Sequence, residues 1–287
     1  MSKGMGTFAA AGSLALNNVA KVKETPPLFW FPEVSSTMDT AKEIVKSSEL
    51  DESSRQLWGV MAGAQTSGRG TRGRTWLDGA GNMYLTVAVP ISAVPAGVPV
   101  TLVPLRIGTL LLPTIASRVA RQPVLLKWPN DILIADKKVC GILIEWADDH
   151  LLIGIGMNVF EAPRVVSENA ADVNFGRPAA CVADFNPQLG CELDAQTGQQ
   201  VCLGPQRVAE VQTMGQEILQ AVQRWLASPD TAAQVVRDFS ARMQRDSQKL
   251  RSSGEEVLPL SLNADGTLLV KHVGNGTESS LVADYLY

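Results

Sequence analysis

The stretch VLLKWPNDILIADKKVCGILIEWADDHLLIGIGMN, residues 124–158, holds four apolar runs: Val124 to Lys127, Ile132 to Ala135, Val139 to Trp146 and Leu151 to Asn158. Only short polar turns separate them, Asp136-Lys137-Lys138 being one. Turns this short leave no room for a helical crossover, so neighbouring runs must pair as hairpins. The sheet is therefore expected to be largely antiparallel, which puts the chain in the α+β class.

Working outward, Trp58 to Ala64 reads as a strand that feeds a loop, Gly63 to Trp76 (GAQTSGRGTRGRTW), and Asn82 to Val89 as the strand that leaves it. The loop carries four glycines together with Arg69, Arg72 and Arg74. Glycine lets a backbone approach a bound group closely, and arginine offers a planar fork of donors for carboxylate or phosphate oxygens. Such a loop suits an anion, although a Gly-rich strand connection is the simpler reading when it stands alone. What adds weight is its company: Lys127-Trp-Pro-Asn-Asp131, Gly-Ile-Leu-Ile-Glu at 141 to 145, and Gly-Ile-Gly-Met-Asn at 154 to 158.

Further upstream, Leu28 to Val34 is an aromatic, apolar strand. Ser36 follows as a helix N-cap, with Asp39 in capping-box position. Met38, Ala41 and Ile44 or Val45 form that helix's buried stripe. Residues 100 to 119 read as an apolar helix with Pro104 in its first turn and Pro113 placed to kink or split it. Downstream, 161–205 loses periodicity and reads as an inserted surface loop. Arg207 to Leu226 is an amphipathic helix, and Ala232 to Leu250 is expected to be another. From Glu255 to Tyr287, short apolar runs (Val257 to Leu262, Leu268 to His272, Ser280 to Ala283) alternate with turn signals at 263–266 and 274–276. This is most simply a small SH3-like barrel. The expected organisation is a disordered tail over 1–27, a main domain over 28–250 that includes the insertion, and the β domain over 251–287.

Composition excludes several classes. Of 287 residues, 45% are apolar and 19% charged, an ordinary globular balance. A net charge of -4 gives no global attraction to nucleic acid. No uninterrupted apolar run reaches the ~18 residues of a membrane helix. The four cysteines form no close pair suited to zinc, and reduced thiols are expected. Two histidines supply little for histidine-based nucleophilic catalysis. The tail is poorer in arginine than a mitochondrial presequence, so a cytoplasmic protein is expected, with a mitochondrial one as the alternative.

Taken together, Gly68-Arg69-Gly70-x-x-Gly-Arg74-x-Trp76, Lys127-Trp-Pro-Asn-Asp131, Lys138-x-x-Gly141-Ile-Leu and Gly154-x-Gly156-x-Asn158 resemble the signature of biotin–protein ligases, in the family's order. Ser36-Thr37 resembles its entry motif, and the C-terminal β segment its last domain. The resemblance spans about residues 28 to 160 and 206 to 287. It implies a class II synthetase-like domain, with a mixed, mostly antiparallel sheet flanked by helices. It implies that biotin and ATP, with Mg²⁺ on the nucleotide, give biotinyl-5′-AMP, and that the biotinyl group passes to a lysine of a carboxylase's biotin carboxyl carrier domain. In that chemistry two anions meet, and cations must neutralise the meeting point. By resemblance, Lys138 bridges carboxyl and α-phosphate, Arg69 helps hold both, and Asp131 orients or deprotonates the acceptor lysine. Ser36, Thr37, Gln65, Gly68, Gly70, Gly141, Gly154 and Gly156 resemble residues around biotin. Thr71, Arg72, Arg74, Trp76, Lys127, Asn130 and Asn158 resemble residues around ATP. Two positions depart from the pattern: Thr71 stands where many members have a further arginine, and Met38 where asparagine often follows Ser-Thr. A lipoate–protein ligase is the nearest alternative. A DNA-binding repressor and a non-catalytic biotin binder are the others; residues 1–27 are expected to be too few to hold a DNA-binding domain, and the net charge of -4 does not favour DNA.

Overall fold

A computed structural model of the chain describes residues 25–47, 56–163, 178–193, 200–201, 204–250 and 252–282. The expected tail lies, up to residue 24, outside the described residues. Seven strands form the main sheet: β1 Leu28–Phe31, β2 Trp58–Ala62, β3 Met83–Pro90, β4 Val124–Lys127, β5 Asp131–Ile134, β6 Lys137–Ala147 and β7 His150–Met157. Their order is β1-β2-β3-β7-β6-β5-β4. The β1–β2 pair is parallel and every other neighbouring pair is antiparallel, so the mixed, mostly antiparallel sheet expected from the hairpin spacing is present.

Alternation along the strands makes two different faces. Met83, Leu85, Val87 and Val89 of β3, with Ile153, Ile155 and Met157 of β7, join the large hydrophobic cluster that packs on helices α2 (Val103–Ala116) and α3 (Gly204–Ala227). Ala88 and Leu152 face the other way, where helix α1 (Thr37–Lys46) buries Met38, Ala41 and Ile44 against Trp58 and Val60. Burying a side chain of this size contributes ~1.5–3 kcal/mol. The glycines 141, 154 and 156 share this second face and keep part of it bare.

Several sequence expectations need correction. Helix α2 runs unbroken through Pro113, with Pro104 in its first turn as expected. The turn before β6 is made by Ala135 and Asp136, both at positive φ, so Lys137 and Lys138 lie on the strand and not in the turn. Helix α4 (Ala232–Ser240) ends at Ser240 instead of continuing to Leu250. The following residues serve the outer edge of β4, where Leu126 N–H donates to Arg242 O and Gln244 N–H to Leu126 O, both at 2.8 Å. An open strand edge needs such partners, and helical periodicity does not reveal them. The insertion is also more than a surface loop. Pro178 O and Ala180 N–H bond to the backbone of Lys138, and Val182 N–H to Asn158 O, burying Ala180, Cys181 and Val182 where β6 begins and β7 ends. A short hairpin, β8 (Glu192–Leu193) with β9 (Gln200–Val201), lies in the same region. Cys140 and Cys181 are free thiols. Cys191 is disulfide-bonded, against the expectation of reduced thiols.

The C-terminal residues build a separate antiparallel sheet of β10 (Gln248–Lys249), β11 (Glu256–Leu262), β12 (Leu268–His272) and β13 (Glu278–Leu281), in that order. Its β11–β12 turn docks on the main body. Trp128 Nε1–H donates to Gly266 O at 2.9 Å and Thr101 Oγ1–H to Asp265 O at 2.7 Å. No helix among the described residues is long and apolar enough to cross a membrane.

Candidate active site

A cavity of about 350 Å³ opens on the α1 face of the sheet, between the N-terminus of α1, the Gly/Arg loop, the β4–β5 turn and strands β3, β6 and β7. Fourteen of the residues expected from sequence line it: Ser36, Thr37, Gln65, Arg69, Gly70, Thr71, Arg74, Trp76, Asn130, Lys138, Gly141, Gly154, Gly156 and Asn158. Arg69 and Lys138 therefore share one pocket. Gly68, Lys127 and Asp131 are not among its lining residues, and the Arg72 side chain lies outside the described residues.

At the α1 end the polar groups are tied in series. Thr37 N–H donates to Gln65 Oε1 at 2.8 Å, the Thr37 hydroxyl to the same oxygen at 3.1 Å, and Thr86 Oγ1–H to Thr37 Oγ1 at 2.9 Å. Gln65 thus satisfies the helix's first amide. Ser36 is buried at 1% exposure and makes no side-chain cap. The expected capping box fails because Asp39 faces away from the cap: its Oδ2 accepts from Arg69 Nη1 at 2.7 Å.

The floor is the glycine face. A Cβ on Gly156 would sit 2.5 Å from the Trp76 ring, and one on Gly141 2.9 Å from it. Glycine is needed at both places because the indole lies directly on the sheet. Gly154 makes the same allowance for Met38, whose sulfur would be 2.9 Å from an added Cβ. These glycines admit the protein's own side chains close to the strands, where the sequence suggested close approach of a ligand.

The cations sit at two stations. Lys138 Nζ is 2.6 Å from Asp131 Oδ1 and 5.3 Å from the Trp76 ring centre, and Lys127 Nζ is 3.9 Å from Asp131 Oδ2. Burial alone would push the Asp131 carboxyl up, but Lys138 and Lys127, with a smaller contribution from Arg74, outweigh it and hold the group below the usual carboxylate range. At the other station Arg69 forks onto Glu145, Nε to Oε1 at 3.0 Å and Nη2 to Oε2 at 3.1 Å, while Lys42 approaches Glu145 at 2.5 Å. Hydrogen bonds from Arg69 hold Glu145 low against the opposing effect of burial. In between, Arg74 folds back on the loop, Nη2 to Thr71 Oγ1 at 2.6 Å. Asn158 Nδ2 donates to Ala180 O at 3.1 Å and Asn130 Nδ2 to Ile142 O at 2.7 Å. A pocket with an apolar aromatic floor and cations at both ends can receive an organic carboxylate beside a phosphate.

Comparison with known proteins agrees with this chemistry. The chain is 32% identical over 184 residues to the biotin–[acetyl-CoA-carboxylase] ligase of Mycobacterium tuberculosis, a match covering 63% of this chain and 69% of that one. This chain belongs to the biotin–protein ligase family. The model of the Biotin/lipoate A/B protein ligase family matches residues 30–158 of the ligase. The bifunctional ligase/repressor BirA of Bacillus subtilis is 30% identical over 156 residues, 51% of this chain but only 44% of that protein. A biotin protein ligase from Leishmania major, solved in complex with biotinyl-5-AMP, superposes with a TM-score of 0.56 at 27% identity. It covers 90% of this ligase and 99% of that chain.

The structure also brings into the wall residues that the sequence did not single out, among them Leu77, Tyr84, Pro163 and Ala179. Tyr84 was legible only as an alternate position on β3. Ala179 comes from the insertion, whose pairing with Lys138 leaves no periodic trace.

Proposed function

We infer that this ligase joins biotin to ATP as biotinyl-5′-AMP in the cavity and then transfers the biotinyl group to a lysine of a carboxylase's biotin carboxyl carrier domain. What carries the reading is that Arg69 and Lys138 wall one cavity, where the carboxylate and the α-phosphate must meet. A free carboxylate does not acylate an amine at neutral pH, so it is first made into a mixed anhydride. Lys138 lies where it can bridge the two anions, and stabilising that developing charge is the main catalytic task. Mg²⁺ enters as part of the nucleotide substrate. Trp76 supplies the aromatic surface for adenine, and Asn130, Asn158, Thr71, Arg72 and Arg74 serve the nucleotide. Ser36, Thr37 and Gln65 meet the ureido ring. The amide nitrogen of Gln65 is the group left over for the ligand, since its oxygen is taken by Thr37.

Transfer falls to Asp131. Held ionised by Lys138 and Lys127, its carboxylate orients the incoming lysine. The neutral amine attacks the acyl carbon of the anhydride, AMP departs as the acyl–phosphate bond breaks, and the nitrogen sheds its proton to solvent past the carboxylate. Lys127 acts through that carboxylate, its side chain being 5% exposed against 15% for Asp131. The test is incubation with biotin, Mg-ATP and a carrier domain, followed by mass measurement of the carrier. One biotinyl addition on one lysine is expected. Biotin-dependent ATP–pyrophosphate exchange should exceed lipoate-dependent exchange, and the reverse order would replace this reading with a lipoate ligase.

A further inference from the structure

Arg69 reaches the cavity from a scaffold of three residues that do not line it. A guanidinium has five N–H donors. Three are engaged, two with Glu145 of β6 and one with Asp39 of α1. Among the described residues the other two, one on each terminal nitrogen, have no partner, and two such donors suit the paired oxygens of one carboxylate or acyl phosphate. Lys42, one turn beyond Asp39 on α1, completes the cluster through Glu145. Arg69 and Lys42 balance Asp39 and Glu145, so this end of the pocket offers an anion no surplus charge. At the other station Lys127 and Lys138 face the single carboxylate Asp131, which leaves one positive charge in excess. The two stations therefore differ in kind: one attracts, the other aims.

We propose that Glu145 and Asp39 are positioning residues of the ligase reaction, fixing the guanidinium of Arg69 so that its two remaining N–H groups are directed at the biotin carboxyl. The proposal rests on the ligase reading and adds two residues to it. Both act only through Arg69. Glu145→Gln keeps the shape of the side chain but replaces one acceptor oxygen with an NH₂ that faces a guanidinium N–H. The loss of aim falls on the substrate that Arg69 touches. The KM for biotin should rise about tenfold, the cost of one charge-assisted hydrogen bond, with the KM for ATP held within about twofold. Asp39→Asn should move biotin in the same direction by less, since it takes one donor rather than two.

The deciding experiment is a double-mutant cycle on the full chain, read by biotin-dependent ATP–pyrophosphate exchange and by calorimetric biotin binding. If Glu145 works through Arg69, Glu145→Gln added to Arg69→Met causes no further loss in either measurement. Losses that multiply would overturn the proposal, as would an unchanged biotin KM in Glu145→Gln alone, or equal rises for biotin and ATP. Wild-type protein that shows no biotin-dependent exchange would instead remove the ligase reading itself and the proposal with it, so the two failures are told apart.

Discussion

Lys138 lies 2.6 Å from Asp131 and helps hold its carboxyl ionised, and the chemistry of the pocket turns on that pair. Lys138→Met removes the bridging cation and leaves the buried carboxylate to Lys127 and the weaker influence of Arg74. Adenylation, followed by pyrophosphate exchange, should fall by about 10²–10³-fold. Asp131 titrates lower in the folded protein than the ~3.9 of an unfolded chain. Its contribution to stability is thus complete above that value and is lost as the pH falls through the folded one. Acid unfolding of the wild type should begin below about pH 4 through this group, and Asp131→Asn should flatten that limb of the melting-temperature profile. At this scale the sequence was legible where residue type dictates chemistry, as with Arg69, Lys138 and the floor glycines. Asp39 was misread because a capping box is a local pattern. Its true partner, Arg69, lies thirty positions away, and spacing along the chain cannot express such a pairing.

Among the elements, the Gly/Arg loop and the β4–β5 hairpin behave differently. The loop is fastened to α1 and β6 through Arg69 and to itself through Arg74 and Thr71. A closed loop would shield an adenylate from water. Biotin with Mg-ATP should therefore slow proteolytic cleavage over residues 66–74, and equal cleavage rates with and without them would exclude closure. The hairpin carries Lys127, Asn130 and Asp131, and it is braced from outside by the Trp128 bond to Gly266. Trp128→Phe keeps a buried ring and deletes one donor, leaving a carbonyl unsatisfied. A loss of about 1–3 kcal/mol is expected in denaturant titration. Strand existence was plain from the apolar runs, since short turns admit no other pairing. The end of α4 was not, because Arg242 and Gln244 are held by the edge of β4 and Gln248–Lys249 by β11, and not by their own periodicity.

At the scale of the molecule, the two sheets share one hydrophobic cluster. Val257, Leu268 and Val270 of the C-terminal sheet belong to the same buried set as Leu102, Leu105 and the strands of the main sheet. Shared burial couples their unfolding, so calorimetry should give one transition, with calorimetric and van't Hoff enthalpies in agreement. Two separated transitions would mean that the C-terminal sheet melts as a free unit. The contact between Trp128 and Gly266 spans 138 positions of sequence. During synthesis, which runs from the N-terminus, the hairpin that holds Asp131 leaves the ribosome long before its brace does. A nascent chain halted short of Gly266 thus carries every motif of the pocket and still lacks the last support of its acceptor-lysine side, so competence arrives with the final strands rather than with the motifs themselves.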